Sequence, residues 1–385
     1  MVPVEEIKQA ALEVLLNNLR GPYQGLPRTA GWGYPEPYTR DWMIAALGIL
    51  VTQNEELMAA LRRMLVALAG HQTSLGHIPS LAHDPTDCGA SDTTPLFLIA
   101  LAFYRSVTGE MDFQEQAARK ALDWLQYQSP DDTVLVAQQP TSDWRDEMWV
   151  WGYGLYVNTL TYACLRLYGQ EERAQALHTL LNHAGLRQVQ GDHRIHEGMS
   201  LAEKPYYAFW VFKEHINERF DLLGNCLAIL FGLPSPSRAK AIINWVEAAC
   251  GDLQERGELA GDLPPCLIPF IYPKDEDWRP RYLQFNRPGE YHNGGIWPFI
   301  AGFYIAALVA AGQHELALKK FIALSDLVRP ARRDRLAYGF NEWLSAQSSQ
   351  PRGQDWQTWS AAMYLYAAAC VETQRTPFFP LIPLS

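Results

Sequence analysis

Apolar residues recur every three to four positions along almost the whole chain, which is the spacing of one face of an α-helix. No convincing alternation with a period of two, the mark of a half-buried strand, appears. The pattern predicts twelve helices, at 3–19, 41–52, 55–70, 94–107, 112–128, 149–168, 171–185, 221–232, 236–250, 295–311, 314–327 and 357–372. The fold class predicted from this pattern is all-α.

The connecting segments divide the twelve helices into six pairs. Short turns that contain glycine, such as Gly169-Gln170 and Gly312-Gln313, join the helices of one pair, whereas long segments join successive pairs. Long connections in a compact domain usually carry function. Because no short repeat of the common solenoids is present, we predict that the six hairpins close into a six-hairpin toroid, the (α/α)6 barrel. We expect residues 1–385 to form this barrel as a single domain.

Clusters of polar and aromatic residues precede every second helix. They occupy 38–42, 91–95, 142–147, 219–221, 291–295 and 354–357. Helix N-caps explain Asp, Ser or Asn in any one cluster, but they do not explain the Trp and Tyr residues or the lack of such clusters before the other six helices. If these six helices form the inner ring, the clusters meet at one mouth of the barrel. A pocket there would collect Arg40, Asp41, Asp92, Asp146, His292 and Gln357.

Composition narrows the class of ligand. A formal net charge of -10 argues against binding a nucleic-acid backbone, which requires a basic face. The chain has 13 Trp and 18 Tyr, many of them beside Gly, Pro, Asp or His. Aromatic faces pack against the C–H face of a pyranose while polar neighbours bind its hydroxyls. A small saccharide is therefore the expected partner, and the sequence leaves a homo-oligomer open.

Two features of the sequence favour the cytoplasm. The N-terminal segment lacks the basic and apolar regions of a signal peptide, and no stretch reaches the roughly 18 apolar residues of a membrane span. The six cysteines are scattered, and Cys164, Cys226, Cys250 and Cys370 lie in apolar helical runs. We expect these four to be buried free thiols in a reducing compartment.

The clusters supply the carboxyl groups that glycoside hydrolysis requires. One carboxylic acid must protonate the leaving oxygen, and a carboxylate must act from the opposite side. Asp146 lies between Trp144 and Trp149, although its neighbours Asp143 and Glu147 remain alternatives as the acid. Glu342 lies in an aromatic segment before the last helix.

Other chemistries fit the sequence less well. No GxSxG or P-loop pattern is present. The His193–Glu197 segment has the wrong residue order for a zinc-binding HExxH motif. We expect no metal and no cofactor.

Several segments resemble the alkaline/neutral invertases, a family of inverting (α/α)6-barrel hydrolases that act on sucrose. Residues 291–298 (YHNGGIWP) are similar to the HNGGSWP segment of that family, and residues 357–360 (QTWS) to its YQTWS helix start. Residues 223–230 (LGNCLAIL) resemble its LGNCVAIL helix. Arg40-Asp41 matches an RD pair, and Asp92 falls where the family has VDS.

The resemblance implies roles for individual residues. Asp146 would be the general acid, and Glu342 would activate the attacking water. The side chains expected to bind the sugar or shape its pocket are Tyr38, Arg40, Asp41, Asp92, Trp144, His292, Trp297, Gln357 and Trp359. Trp297 and Trp359 have a second interpretation as barrel core.

Sucrose is the expected substrate, with other small α-glycosides as alternatives. The flanks of both carboxyl residues depart from the invertase pattern: residues 144–149 read WRDEMW where the family has MIDRRMG, and residues 341–345 read NEWLS where it has WPEYYDG. Trp144-x-Asp146 also resembles the WMD motif of the amylo-α-1,6-glucosidases (debranching enzymes). The related α-glucosidases and mannosylglycerate hydrolases share the barrel and its two carboxyl groups.

Two further classes of function remain open. An epimerase or lyase on the same barrel would depend on His or Tyr acid/base pairs, so neutralising Asp146 and Glu342 would leave its activity largely intact. A non-catalytic sugar-binding barrel would bind a ligand without turnover.

Overall fold

The computed structural model describes residues 3–129, 134–183, 198–213 and 215–379, together with the backbone of 186–188 and 194–196. These residues form thirteen helices: α1 Val4–Asn17, α2 Thr39–Thr52, α3 Glu55–Gly70, α4 Thr93–Thr108, α5 Glu115–Tyr127, α6 Leu155–Leu167, α7 Glu171–Asn182, α8 Leu222–Leu230, α9 Pro236–Glu255, α10 Tyr282–Phe285, α11 Pro298–Ala310, α12 His314–Leu327 and α13 Thr358–Thr373. The twelve predicted helices are all present. The additional helix, α10, is a single turn without a periodic pattern of its own.

Six helices close into a ring. α2 contacts α4, α4 contacts α6, α6 contacts α8, α8 contacts α11, α11 contacts α13, and α13 returns to α2. α1, α3, α5, α7 and α12 pack outside this ring against one or two of its members. α9 is joined to α11 by the hydrogen bond that the Tyr304 hydroxyl donates to Glu247, 2.7 Å long. The predicted (α/α)6 barrel is confirmed, with every second predicted helix inside.

The two layers differ in how their side chains are buried. Twelve of the thirteen residues of α11 are buried, and α8 is buried along its whole length, because ring helices are covered on every side. In α5, by contrast, only four apolar positions on one face are buried. Such an amphipathic stripe is expected of an outer helix with one face in water. The core therefore lies inside the ring and between the two layers.

The predicted start of the helix at 149–168 is wrong. α6 begins at Leu155, because Gly152 adopts a left-handed φ of +72° and the next two residues pair with a strand. The apolar residues at 149–151 continue the helical spacing in sequence, but their side chains lie in the connection that leads to the ring. As a result Trp149 is exposed, and Trp151 packs against the edge of the core.

The described parts of the connections contain nine strands of two or three residues: β1 Tyr153–Gly154, β2 Leu186–Gln188, β3 Arg194–His196, β4 Trp210–Phe212, β5 His215–Asn217, β6 Phe220–Asp221, β7 Leu267–Ile268, β8 Trp343–Leu344 and β9 Pro351–Arg352. All pair antiparallel, in a β1-β4-β5 sheet and the pairs β2-β3, β6-β7 and β8-β9. They are too short for the period of two to be visible in the sequence. Their effect is to hold the long connections in place.

Three smaller expectations concern cysteine, the membrane and metal. Cys164, Cys226, Cys250 and Cys370 are buried free thiols, as predicted. None of the described helices is long and apolar enough to cross a bilayer. Residues 193 and 197, the ends of the segment compared with a zinc motif, lie outside the described residues.

Candidate active site

The residues at the N-cap positions of the ring helices do not cap them in the usual way. The N-cap of α6 is Gly154, and the N-cap side chains of the other five, from Tyr38 at α2 to Gln357 at α13, show no capping hydrogen bond. Two outer helices are capped in the usual way, by Asn54 at α3 and by Ser235 at α9. Capping therefore does not account for these clusters.

The clusters meet at one mouth of the barrel. Arg40, in the first turn of α2, donates two hydrogen bonds to Asp92, and Gln357 donates one to Asp41 across the α13–α2 junction. His292 Nε2 lies 3.8 Å from Asp146 Oδ1. One pocket results, lined by Thr29, Tyr34, Tyr38, Arg40, Asp41, Trp144, Asp146, Tyr291, His292, Trp297, Glu342, Gln357 and Trp359.

Ten of the eleven predicted site residues line this pocket, and Asp92 is the exception. Its side chain is fully buried behind Arg40, which occupies both carboxylate oxygens, and the Tyr156 hydroxyl donates to the same group at 3.3 Å. Asp92 therefore orients Arg40 and does not face the pocket. Thr29, Tyr34 and Tyr291 line the pocket but were not predicted, although Tyr34 follows a Gly-Trp-Gly segment and Tyr291 precedes His292 in the quoted motif.

Asp146 and Glu342 reach the pocket from opposite sides. Asp146 belongs to the connection before α6, and Glu342 to the connection before α13. In the ring order α2, α4, α6, α8, α11, α13, these two helices are three places apart, which is the largest separation that six members allow. A ligand in the pocket therefore has a carboxyl group on each side.

Buried charge fixes the segment that carries Asp146. Arg145 is buried and forms two ion pairs. Its Nη2 lies 2.7 Å from Asp143 Oδ2, and its Nη1 lies 3.0 Å from Oδ1 of Asp221, at the start of α8. Burial opposes ionisation of Asp143, but the charge of Arg145 and the hydrogen bonds from Arg145 and Gln138 together lower the pKa of this carboxyl. Glu147 points away and pairs with Arg281. Of the three neighbouring acids, only Asp146 lines the pocket.

The side chain of Asp146 is still 61 % exposed. Partial burial raises its pKa above the usual aspartate value, and Arg40 opposes the rise. Only a ligand bound in the pocket would bury the Asp146 side chain completely. The neighbouring His292 is held neutral, because burial and the charge of Arg145 lower its pKa well below the ordinary value. It therefore contributes hydrogen-bonding atoms to the pocket and no charge.

Glu342 is held by the hairpin of β8 and β9. Its N–H donates to the Gln354 carbonyl, and the Gln354 N–H donates back to Glu342 Oε2 at 3.1 Å. Beside it, the Ser360 hydroxyl of α13 donates to the carbonyl of Asn341. Glu342 is 6 % exposed, and burial raises its pKa to about 8, assisted by the charges of Asp41 and Asp146.

Aromatic rings build the rest of the pocket. Trp144 meets Trp297 edge-on at 5.3 Å, and Trp359 stacks on Phe299 at 4.0 Å between ring centroids. Tyr291 stacks on His292 at 3.9 Å. Both predicted positions of Trp297 and Trp359 are observed: each ring is part of the barrel core, and each also lines the pocket.

Four lining side chains carry a buried polar atom that has no hydrogen-bond partner within the described protein. These atoms are Trp144 Nε1, His292 Nδ1, Gln357 Oε1 and Trp359 Nε1. A buried polar group left unpaired costs about 1–3 kcal/mol. These atoms are also out of contact with solvent, so a ligand would reach them only if the side chains around them moved. The described residues contain no group of three or more His, Cys, Asp or Glu arranged to hold a metal ion.

Gly353 provides a test of how Glu342 is positioned. A Cβ atom at this position would lie 2.2 Å from Glu342 Oε2, and the residue has a left-handed φ of +66°. We expect Gly353→Ala to displace the carboxyl group and lower kcat about 10- to 100-fold, since misplacement by about 1 Å has effects of this size.

Gly257→Ala is the matched control for that variant. Gly257 has a similar φ of +71° and no atom within 4 Å of its added Cβ, so it adds the backbone strain without the clash. Both variants should unfold at slightly lower temperature than the parent in thermal melts. Equal catalytic rates in the two would show that the contact with Glu342 is unimportant.

Comparison with known proteins identifies relatives of part of the chain. The family described as alkaline and neutral invertase matches residues 199–374. Probable alkaline/neutral invertase D of Arabidopsis thaliana is 29% identical over 178 residues, which are 43% of this chain and 30% of that protein. Cytosolic invertase 1 of Oryza sativa subsp. japonica is 30% identical over 165 residues, 40% of this chain and 26% of that protein. The chain thus spans less than a third of the length of these relatives.

Solved structures share the fold over nearly the whole chain. The GH63 mannosylglycerate hydrolase from Thermus thermophilus superposes with a TM-score of 0.66 at 16% identity, covering 93% of this chain and 99% of that one. A bacterial glucoamylase complexed with acarbose gives 0.57 at 14% identity, covering 96% of this chain and 56% of the other.

The invertase match covers only some of the residues that line the pocket. The invertase match includes His292, Trp297, Glu342, Gln357 and Trp359, but neither Asp146 nor Arg40. The resemblance predicted from the motifs is thereby confirmed: residues 199–374 are related to the alkaline and neutral invertases, and the described chain has the fold of the (α/α)6-barrel glycosidases.

Proposed function

We propose that the protein is an inverting glycoside hydrolase that cleaves a small α-linked glycoside, with sucrose as the first candidate. The observation that carries this proposal is the pair of carboxyl groups, Asp146 and Glu342, on opposite sides of one pocket. The aromatic and polar side chains that line the pocket suit the two kinds of surface that a pyranose presents.

In the proposed reaction Asp146 is the general acid. It donates its proton to the glycosidic oxygen as the bond to the anomeric carbon breaks, so the leaving group departs as a neutral alcohol. Glu342 takes a proton from a water molecule, whose oxygen attacks the anomeric carbon from the opposite face. The opposite placement of the two residues suits protonation on one face of the sugar and attack on the other, and inversion further requires room for this water between the sugar and Glu342.

For this reaction, the protonation states of Asp146 and Glu342 must change when the substrate binds. In the empty pocket Glu342, with a pKa of about 8, holds a proton at neutral pH, whereas Asp146 is largely exposed to water. A bound sugar would cover Asp146 and raise its pKa further, because burial disfavours the charged form. The negative charge of Asp146 contributes to the raised pKa of Glu342. A proton on Asp146 therefore favours the ionised Glu342 that water activation requires.

The remaining lining residues would hold the sugar. Arg40 is fixed by Asp92, and the amide of Gln357 is fixed by Asp41, so each presents a defined hydrogen-bonding group. Burial raises the pKa of Asp41 to about 7, so this carboxyl can both donate to and accept from a hydroxyl near neutral pH. Such a pocket holds one ring in a single orientation.

The identity of the substrate is a more specific proposal than the type of reaction. Support for sucrose comes from the named activity of the relatives, one of which is a cytosolic invertase. We propose the cytoplasm as the location for the same reason.

A panel of sucrose, trehalose, isomaltose, glucosylglycerate and mannosylglycerate tests the substrate by release of free monosaccharide. We expect sucrose to give the highest kcat/KM. Faster release from another member would replace sucrose within the same mechanism. Tight binding without release from any α-glycoside would favour a sugar-binding barrel instead.

A further inference from the structure

A second concave surface includes Trp149, which comes three residues after Asp146 in the chain. This cleft has a volume of about 770 Å³, against about 90 Å³ for the pocket that contains Asp146 and Glu342. Residues from three connections form it, those before α6, α8 and α11. We propose that this cleft, called the Trp149 cleft, binds the leaving-group side of a neutral saccharide longer than a disaccharide.

We assign the cleft to the leaving group because of the direction of the proposed reaction, so this inference rests on the proposed function. The leaving group must lie next to the acid, Asp146, and away from the base, Glu342. Trp149 comes three residues after Asp146, and its N–H donates to the Tyr282 hydroxyl at 3.0 Å. Asn286 donates to the Glu147 carbonyl at 2.8 Å. The segment that carries the acid is therefore also a fixed wall of the cleft.

The chemistry of the cleft fits a sugar. Trp149 is 43% exposed, unusual for so large an apolar side chain, and the Arg279 guanidinium lies 5.1 Å from its ring centroid. Trp151 and Trp210 meet at 5.3 Å between ring centroids on another part of the lining. Aromatic faces beside polar and charged side chains suit the C–H face and the hydroxyl groups of a pyranose.

Charge in the cleft favours a neutral ligand over an anionic one. Four basic and four acidic side chains line it, so their formal charges cancel. Arg219 is bound by Asp275 at 2.9 Å and by Asp277 at 2.8 Å, and Lys204 pairs with Glu218 at 2.7 Å. A phosphate-binding site would instead present uncompensated positive charge.

Two series of sugars lengthen only the leaving group: sucrose, 1-kestose and nystose, and maltose, maltotriose and maltotetraose. For the series that the enzyme hydrolyses, we expect the parent protein to show a kcat/KM about three- to tenfold higher for the longer members than for the disaccharide, as one or two aromatic contacts would give. Trp149→Ala should reduce this ratio to about one, and Arg279→Met should reduce it in part.

Trp32→Ala is the matched control, because Trp32 is similarly exposed, at 39%, but lies outside the cleft beside Trp356. It should leave the ratio unchanged. The ratio also separates recognition from a general loss of activity or folding, which would affect all lengths equally. Equal kcat/KM for all lengths in the parent, or an unchanged ratio in Trp149→Ala, overturns the cleft but leaves the hydrolase intact. No hydrolysis of either series by the parent overturns both this inference and hydrolysis of the sucrose type.

Discussion

Glu342→Gln is expected to lose about 10³-fold or more in kcat, at the upper end of the range for a general base. The substitution keeps the shape of the side chain and its hydrogen bond from the Gln354 N–H, but the amide cannot accept a proton from water. Initial rates of monosaccharide release, with enzyme concentration verified by absorbance, measure the loss. An epimerase or a sugar-binding barrel would show no such dependence.

The same variant should be more stable than the parent at alkaline pH. The pKa of Glu342 is about 8 in the folded protein and near the ordinary glutamate value of 4.5 when unfolded. The folded state therefore holds an extra proton between these values, and the parent loses stability as the pH rises through that range. Gln has no charge to bury, so we expect its Tm at pH 8.5 to exceed that of the parent by ~2–4 °C.

The difference should vanish near pH 4.5, where Glu342 is protonated in the folded parent. Glu147→Gln is the control, because this carboxyl is paired with Arg281 at the surface and lies outside the pocket. It should show no gain at alkaline pH. A Glu342→Gln protein that is less stable than the parent at pH 8.5 would contradict the burial of an isolated carboxyl in the pocket.

Asp146→Asn is expected to lose about 10²- to 10⁴-fold in kcat on a sugar with a poor leaving group. The loss should depend on the leaving group, because the acid is required only where the departing oxygen must be protonated. On α-glucosyl fluoride, whose fluoride leaves without a proton, Asp146→Asn should recover most of the parent rate. Asp143→Asn tests the neighbouring acid: it should lower stability by breaking the buried contact with Arg145, without this dependence on the leaving group.

Comparison of the two carboxyl variants on both substrates assigns the roles. Glu342→Gln should remain slow with the fluoride, since water must still be activated. The high pKa of Glu342 makes the reverse assignment a real competitor. Recovery with the fluoride in Glu342→Gln, and not in Asp146→Asn, would exchange the acid and the base.

The ring and its mouth could be predicted from the sequence because both depend on patterns along the chain. Helical periodicity gives the number of helices, and the polar clusters mark the end of each ring helix that faces the ligand. The clusters could not distinguish Asp146 from Asp143 and Glu147, since all three are polar residues in one turn. In the structure their partners determine which of the three lines the pocket: Arg145 pairs with Asp143 in the interior, and Arg281 pairs with Glu147 away from the pocket.

Features that depend on distant partners were missed or misplaced. Asp92 was predicted to contact the sugar, but Arg40 covers it from a neighbouring helix. The start of α6 was placed six residues early, because the pairing of Tyr153 with Val211 lies some 60 residues away in sequence. That displaced segment contains Trp149, so the cleft could not be seen in the helical pattern at all.

The anomeric form of the first product tests the proposed reaction most directly. Proton NMR of a fresh mixture of enzyme and sucrose follows the two anomers of glucose before mutarotation equalises them. Attack by water opposite the departing oxygen predicts that β-glucose appears first and that α-glucose follows by mutarotation. Initial release of α-glucose would contradict the proposal, because retention requires a covalent intermediate and carboxyl groups about 5–5.5 Å apart in place of a base that acts through water.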